Sequence, residues 1–230
     1  MKILVTGGTG YIGSHTAVEL LNSGYEIVII DNFSNSKSDV LDKIKLITNK
    51  DFKFYEGDVC NKDLLRKIFS ENKIDAVIHF AGYKAVGESV KKPIMYYRNN
   101  IDSTLSLIEV MNEFNCKKIV FSSSATVYGN PTTLPIKEDF PLSTTNPYGS
   151  TKLMIENILR DLYISDNDWS IALLRYFNPI GAHVSGLIGE NPKGIPNNLM
   201  PYIVKVANKE LDELSIFGND YNTPDGTGVR

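Results

Sequence analysis

Two side chains in the stretch Tyr148-Gly149-Ser150-Thr151-Lys152 could share a proton-transfer task. Four residues apart on a helix, a phenol and an ammonium lie on one face. A nearby cation favours the phenolate and lowers a tyrosine pKa. A tyrosine so tuned exchanges a proton with an alcohol near neutral pH, which an isolated tyrosine does poorly. Ser122-Ser123-Ser124 follows the apolar run Ile119-Val120-Phe121, so a hydroxyl there, Ser124 above all, could orient the same oxygen. By itself the Tyr–Lys spacing reads better as a solvated helix face. The start of the chain changes that balance.

There the apolar run Ile3-Leu4-Val5 leads into Thr6-Gly7-Gly8-Thr9-Gly10-Tyr11-Ile12-Gly13. Ile12, Ala17, Leu20 and Leu21 then recur at helical spacing, and Gly24 closes the segment. The glycines fit Gly8-x-Gly10-x-x-Gly13 and equally Gly7-x-x-Gly10-x-x-Gly13. They allow a tight turn and a close approach of a pyrophosphate, and the helix N-terminus offers N–H groups and a partial positive charge to it. A second apolar run, Ile27-Val28-Ile29-Ile30, ends in Asp31, placed to accept both ribose hydroxyls of an adenosine. Beside such a dinucleotide turn the tyrosine and lysine become specific. A nicotinamide would accept hydride while the tyrosine takes the proton.

Six strands must carry these groups. Besides the two already met, they are expected at Phe52-Lys53-Phe54-Tyr55, Ala76 to Phe80, Lys118 to Phe121 and Ile171 to Leu174. Helical patterns lie between them, one capped by Asn61 and one started by Asn146-Pro147. The alternation predicts an α/β fold with a doubly wound parallel sheet and right-handed crossovers. Ligands then sit beyond the carboxyl ends of the strands. Near residue 176 the register changes. Asn178 to Pro201 is rich in Gly, Pro and Asn, and a helix over Met200 to Asn208 and a short strand over Leu214 to Phe217 follow. We therefore expect a dinucleotide-binding domain over 1–175 and part of a smaller C-terminal substrate domain over 176–230.

Composition narrows the partners. Lys and Arg number 24 against 27 Asp and Glu, a net charge of −3 that gives no reason to expect nucleic acid or an anionic membrane. No apolar run approaches the length of a membrane span. Met1-Lys2 leads straight into the first strand, so no signal peptide is expected. The two cysteines, Cys60 and Cys116, fit neither a metal spacing nor a disulfide framework, and a reduced cytoplasmic setting is expected. His15, His79 and His183 are scattered and read as packed or surface histidines, with no metal site.

The glycine turn, the Tyr-x-x-x-Lys pair and the serine after the fifth strand resemble the extended short-chain dehydrogenase/reductase superfamily. More closely, His79 to Ser89, Phe121 to Gly129, Leu174 to Pro179 and Gly194 to Pro201 are similar to the UDP-glucose 4-epimerases within it. The resemblance implies a Rossmann-type sheet, NAD and a UDP-hexose whose C4 is inverted through a transient 4-ketose, in galactose metabolism. Tyr148 would take the 4-hydroxyl proton, helped by Ser124, and Lys152 would lower the tyrosine pKa and bind the nicotinamide ribose. The same resemblance assigns NAD contacts to Gly7, Gly10, Tyr11, Ile12, Gly13, Asp31, Asn32, Asn35, Asp58, Val59, Phe80, Ala81, Gly82, Lys84, Asn99, Ser122 and Phe177, besides Tyr148 and Lys152. Substrate would be held by Lys84, Ser124, Tyr148, Asn178, Asn198, Leu199, Phe217 and Arg230. A homodimer is expected on the same ground.

Related nucleotide-sugar dehydratases need an added acid and base, an Asp-Glu pair after the serine or threonine. Ala125 and Thr126 stand here instead and cannot do that proton chemistry. The family's chains continue beyond Arg230, so the chain is expected to lack their C-terminal part. A non-catalytic NAD-binding module is the reading from a different class.

Overall fold

A computed structural model of the chain describes residues 1–193, 198–216 and 218–227. The first βαβ unit is β1 (Lys2–Thr6), α1 (Tyr11–Asn22) and β2 (Glu26–Asp31). Then come α2 (Asp39–Thr48), β3 (Lys53–Glu56), α3 (Lys62–Glu71) and β4 (Ala76–His79). A short α4 (Val86–Lys91) and a long α5 (Pro93–Glu113) precede β5 (Lys118–Ser124), which runs into a 3₁₀ turn at Ala125–Val127. Next are α6 (Pro147–Ser165), β6 (Ser170–Tyr176) and α7 (Leu199–Ala207).

All six strands are parallel, in the order β3-β2-β1-β4-β5-β6. The order reverses between β1 and β4, and a crevice opens at such a switch point beyond the strand ends. Alternate strand residues face opposite layers, as the period of two requires. Ile3, Val5, Ile27 and Ile29 pack with Ala17, Val18 and Ile44 of α1 and α2. Leu4, Val28, Ile30, Ile119 and Phe121 pack with Leu65, Leu107, Met111 and Ile155 of α3, α5 and α6. The doubly wound α/β expectation therefore holds.

Local signals account for the helix ends. Asn61 Oδ1 accepts from Leu64 N at 3.1 Å, and Asn146 Oδ1 accepts from Gly149 N at 2.9 Å, with Pro147 opening α6. Gly24 takes φ +83° just past α1, the left-handed position that ends a helix without a Cβ penalty.

Three details differ from the sequence reading. Ser122 to Ser124 belong to β5 itself, because β6 pairs with it as far as Ser124–Tyr176. Phe80 lies beyond β4, whose pairing stops at His79. Leu214 to Ile216 form no strand, for no described residue pairs with them and Ile216 is exposed; an unpartnered strand is not stable. Phe217 lies outside the described residues.

The chain divides into two compact units, Met1–Lys193 and Gly194–Arg230. Within the first, the irregular stretch after β6 is anchored by Ile188, which is buried among α1 and α2 residues. In the second, α7 is apolar apart from Lys205, and its Leu199 and Val204 are exposed.

Candidate functional site

The carboxyl ends of the strands bring the chemistry together. Gly7 follows β1 with φ +67°, and a Cβ there would lie 2.8 Å from Ala81 N on the turn after β4. Only glycine lets these two turns pass so closely. At Gly13, in the first turn of α1, a Cβ would lie 2.3 Å from Gly7 O and 2.8 Å from Gly8 Cα. The first turn of α1 has no side-chain cap and no acidic residue, so its N–H groups are left for an anion.

Asp31 ends β2 with its carboxylate largely buried. It accepts from Thr9 N at 3.1 Å, Phe33 N at 2.9 Å and Ser36 Oγ at 3.3 Å, tying the β2 turn to the glycine turn. Asp58, past β3, accepts from Asn32 Nδ2 at 3.2 Å, with Val59 buried beside it and Asn35 exposed across the β2 turn. Thus a glycine cradle and a row of acceptors stand side by side. That fits a dinucleotide, with phosphates at the helix end and ribose hydroxyls at Asp31.

Beyond β4, Ala81 N donates to Thr6 Oγ1 at 3.2 Å and Lys84 pairs with Glu190 at 3.6 Å. Phe80 is half-buried, Gly82 has φ +153°, and Asn99 on α5 donates to Asn100 Oδ1 at 3.0 Å. The Tyr11 hydroxyl donates to Gly181 O at 2.7 Å, and burial, then the Glu190 charge, pushes its pKa up. His79 is fully enclosed, its ring nitrogens against Thr6 Oγ1 at 2.7 Å and Thr104 Oγ1 at 3.1 Å. Burial first, and the Lys152 charge second, lower its pKa to about 3, so it is a neutral packing histidine. Among the described residues no cluster of His, Cys, Asp and Glu could hold a metal.

Tyr148 and Lys152 share one face of α6, which packs on β5, the strand that ends in Ser124. Lys152 Nζ donates to Ser122 O at 2.7 Å and lies 5.9 Å from the centre of the Tyr148 ring. The energetics differ from the spacing argument. Burial raises the Tyr148 pKa, and the Ser124 hydroxyl is the group pulling it down. Lys152 is itself buried, which lowers its own pKa to about 8. Here desolvation outweighs the attraction that spacing implies.

Phe177, assigned to NAD, and Asn178, assigned to substrate, are exposed just past β6. Asn198 and Leu199 start α7 in the second unit. Phe217 and Arg230 lie outside the described residues. The sequence reading missed buried Glu156, one turn beyond Lys152, which binds Ser123, Arg160 and Arg175. Its signal was the continuation of the Tyr148–Lys152 spacing by four more residues.

The model of the NAD dependent epimerase/dehydratase family matches residues 3–230. The UDP-glucose 4-epimerase of Bacillus subtilis (strain 168) is 66% identical over 230 residues, covering 100% of this chain and 68% of that protein. The crystal structure of UDP-glucose 4-epimerase from Bifidobacterium longum, in complex with NAD+ and UDP, superposes with a TM-score of 0.97 at 58% identity. It covers 99% of this chain and 68% of that one. The UDP-Glc/GlcNAc 4-epimerase of Campylobacter jejuni gives a TM-score of 0.82 at 38% identity, covering 98% and 68%.

Proposed function

The chain belongs to the NAD dependent epimerase/dehydratase family, and from that premise we infer that it is an NAD-dependent UDP-glucose 4-epimerase, interconverting UDP-glucose and UDP-galactose. The observation that supports this reading is Lys152 Nζ, which donates to Ser122 O and lies beside the Tyr148 ring, at the end of the strand that Ser124 closes and in the same unit as the glycine cradle. NAD, when bound, would supply the reversible hydride acceptor for C4. Tyr148 takes the O4 proton as C4 is oxidised and returns it as C4 is reduced on the other face. Ser124 orients the same oxygen. Lys152, held by Ser122 O, keeps a cation beside the phenol. Ala125 and Thr126 supply no further acid or base, which favours epimerisation over loss of water.

The test is incubation with UDP-glucose and NAD far below stoichiometry, followed by NMR. UDP-galactose should accumulate to equilibrium. Consumption of NAD in proportion to product, or a 4-keto-6-deoxy product, would sink the reading. UDP-GlcNAc in parallel tests whether the wider specificity named for the Campylobacter protein extends to this chain.

Asp31 carries the choice of NAD over NADP. A 2′-phosphate placed there would face a carboxylate, and such like-charge contacts cost several kcal/mol. Lys37, the nearest cation in sequence, is directed to Asn191 Oδ1 at 3.4 Å. The dissociation constant for NADP should exceed that for NAD on the order of 100-fold; equal constants would remove Asp31 from the assignment.

Among the described residues no helix is long and apolar enough to cross a membrane. Two further readings belong to the proposal. The free thiols of Cys60 and Cys116 support a reduced, cytoplasmic setting. Val90 on α4, Ile94 and Leu105 on α5 and Met154 on α6 are exposed apolar residues on mutually packed helices, which supports a homodimer through that layer. Sedimentation should give twice the chain mass, and Ile94→Lys should shift it toward one; a monomeric wild type would end that reading.

A further inference from the structure

We propose that Glu156, acting through Ser123 and Arg175, is a positioning residue that sets where Tyr148, Lys152 and Ser124 stand relative to one another. Tyr148, Lys152 and Glu156 recur every fourth residue and so form one stripe along α6. Each meets a different residue of the last three in β5. The Tyr148 phenol feels the Ser124 hydroxyl, which pulls its pKa down. Lys152 Nζ donates to Ser122 O at 2.7 Å. Ser123 Oγ donates to Glu156 Oε1 at 2.6 Å. The first two rungs contain the reacting groups. The third touches none of them, yet its Glu156 is fully buried and its Ser123 nearly so.

Glu156 has three more donors. Arg175 Nε reaches Oε1 at 3.0 Å, and Arg175 Nη2 and Arg160 Nη2 each reach Oε2 at 2.8 Å. Arg175 is the register partner of Ser123 across β5 and β6. Its Nη1 donates to the Tyr128 hydroxyl at 2.9 Å and to Glu138 O at 3.2 Å. One carboxylate therefore ties α6 to both neighbouring strands and, through Arg175, to the segment that follows β5. Burial pushes the Glu156 carboxyl up, but the Arg175 and Ser123 hydrogen bonds more than offset it and hold it below the usual range.

An apolar contact would also hold the helix to the sheet. A carboxylate with four donors is satisfied in one arrangement, because a partly satisfied buried network is costly. Buried ion pairs add little net stability, and their better-attested use is to specify geometry. For a change that leaves the ion pairs intact, the expected signature is thus in the chemical step rather than in folding.

The inference rests on the epimerase reading. Ser123→Ala removes the third rung and leaves Glu156 its three arginine donors. Its kcat should fall roughly tenfold, since small misplacements of reacting groups cost that much or more. KM for UDP-glucose should stay within about twofold and bound NAD should be unchanged. The rising limb of the kcat pH profile should move to higher pH, because Ser124 is what lowers the phenol pKa and is no longer held to it. The other groups around that phenol, Lys152 on α6 and Tyr96 on α5, are untouched. Glu156→Gln should lose at least as much kcat at a temperature where it is fully folded, with a lower Tm because Arg175 loses its charged partner. A Ser123→Ala kcat within about twofold of wild type, or a loss that follows KM and NAD content, would overturn the inference. A wild type without epimerase turnover overturns the functional reading and this inference with it; an active wild type beside an unimpaired Ser123→Ala overturns the inference alone.

Discussion

Tyr148→Phe should cost roughly 10²–10⁴-fold in kcat, the usual contribution of a positioned acid–base group, while NAD stays bound. The substitution removes one oxygen. The ring keeps its place near Lys152 Nζ, and the glycine cradle and Asp31 are elsewhere in the sheet. Because the phenol acts as base first, wild-type turnover should rise with pH as the phenolate forms. Burial raises its pKa above the ordinary tyrosine value in the protein without ligands, with Ser124 pulling down. A cationic ligand group near the phenol would lower it further. The residual activity of Tyr148→Phe should lack that rising limb. Single-turnover measurements on NAD-loaded protein separate the chemical step from binding, and a mutant with full turnover would remove Tyr148 from the relay.

The parts of this site that were legible in the sequence are those fixed by short spacings. Gly7 to Gly13 require a strand before and a helix after, and the chain supplies both within 22 residues. Tyr148 and Lys152 share a face because a helix repeats every 3.6 residues. Asn61 and Asn146 cap their helices through bonds that span three residues. What stayed hidden depends on contacts distant in sequence. Glu156 reads as a helix-surface acid beside Arg160. It is buried because Ser123, 33 positions earlier, and Arg175, 19 later, close over it. Ile188 lies in a Gly-, Pro- and Asn-rich stretch that reads as an open loop, yet it is buried in the core. The spacing of Tyr148 and Lys152 fixes the sign of their interaction but not the burial that outweighs it. For Leu214 to Ile216, alternation suggests a strand, but a strand also needs an edge to pair with.

Gly13→Ala should be the most damaging single methyl in the dinucleotide site. Alanine is the better helix former, by up to about 1 kcal/mol, so an ordinary helical glycine would gain from the exchange. At Gly13 the added Cβ would lie 2.3 Å from Gly7 O and 2.8 Å from Gly8 Cα. Both are backbone atoms that no side-chain rotation can move away. Gly7 is fixed in turn, since its N–H donates to Ile30 O at 2.9 Å and its Cα passes close to Ala81. The turn must open or α1 must retreat, and either change displaces the N–H groups that would face the pyrophosphate. Gly87→Ala on α4 is the control, for a Cβ there would meet nothing within 4 Å. Steric and backbone faults of this kind cost a few kcal/mol, so NAD affinity should fall on the order of 100-fold or more in Gly13→Ala. Far-ultraviolet circular dichroism and thermal melting show whether the sheet survives, and calorimetric titration with NAD reads the loss directly. Wild-type NAD affinity in Gly13→Ala would mean that the turn relaxes without cost and that the close packing of α1 on β1 is not what builds the cradle.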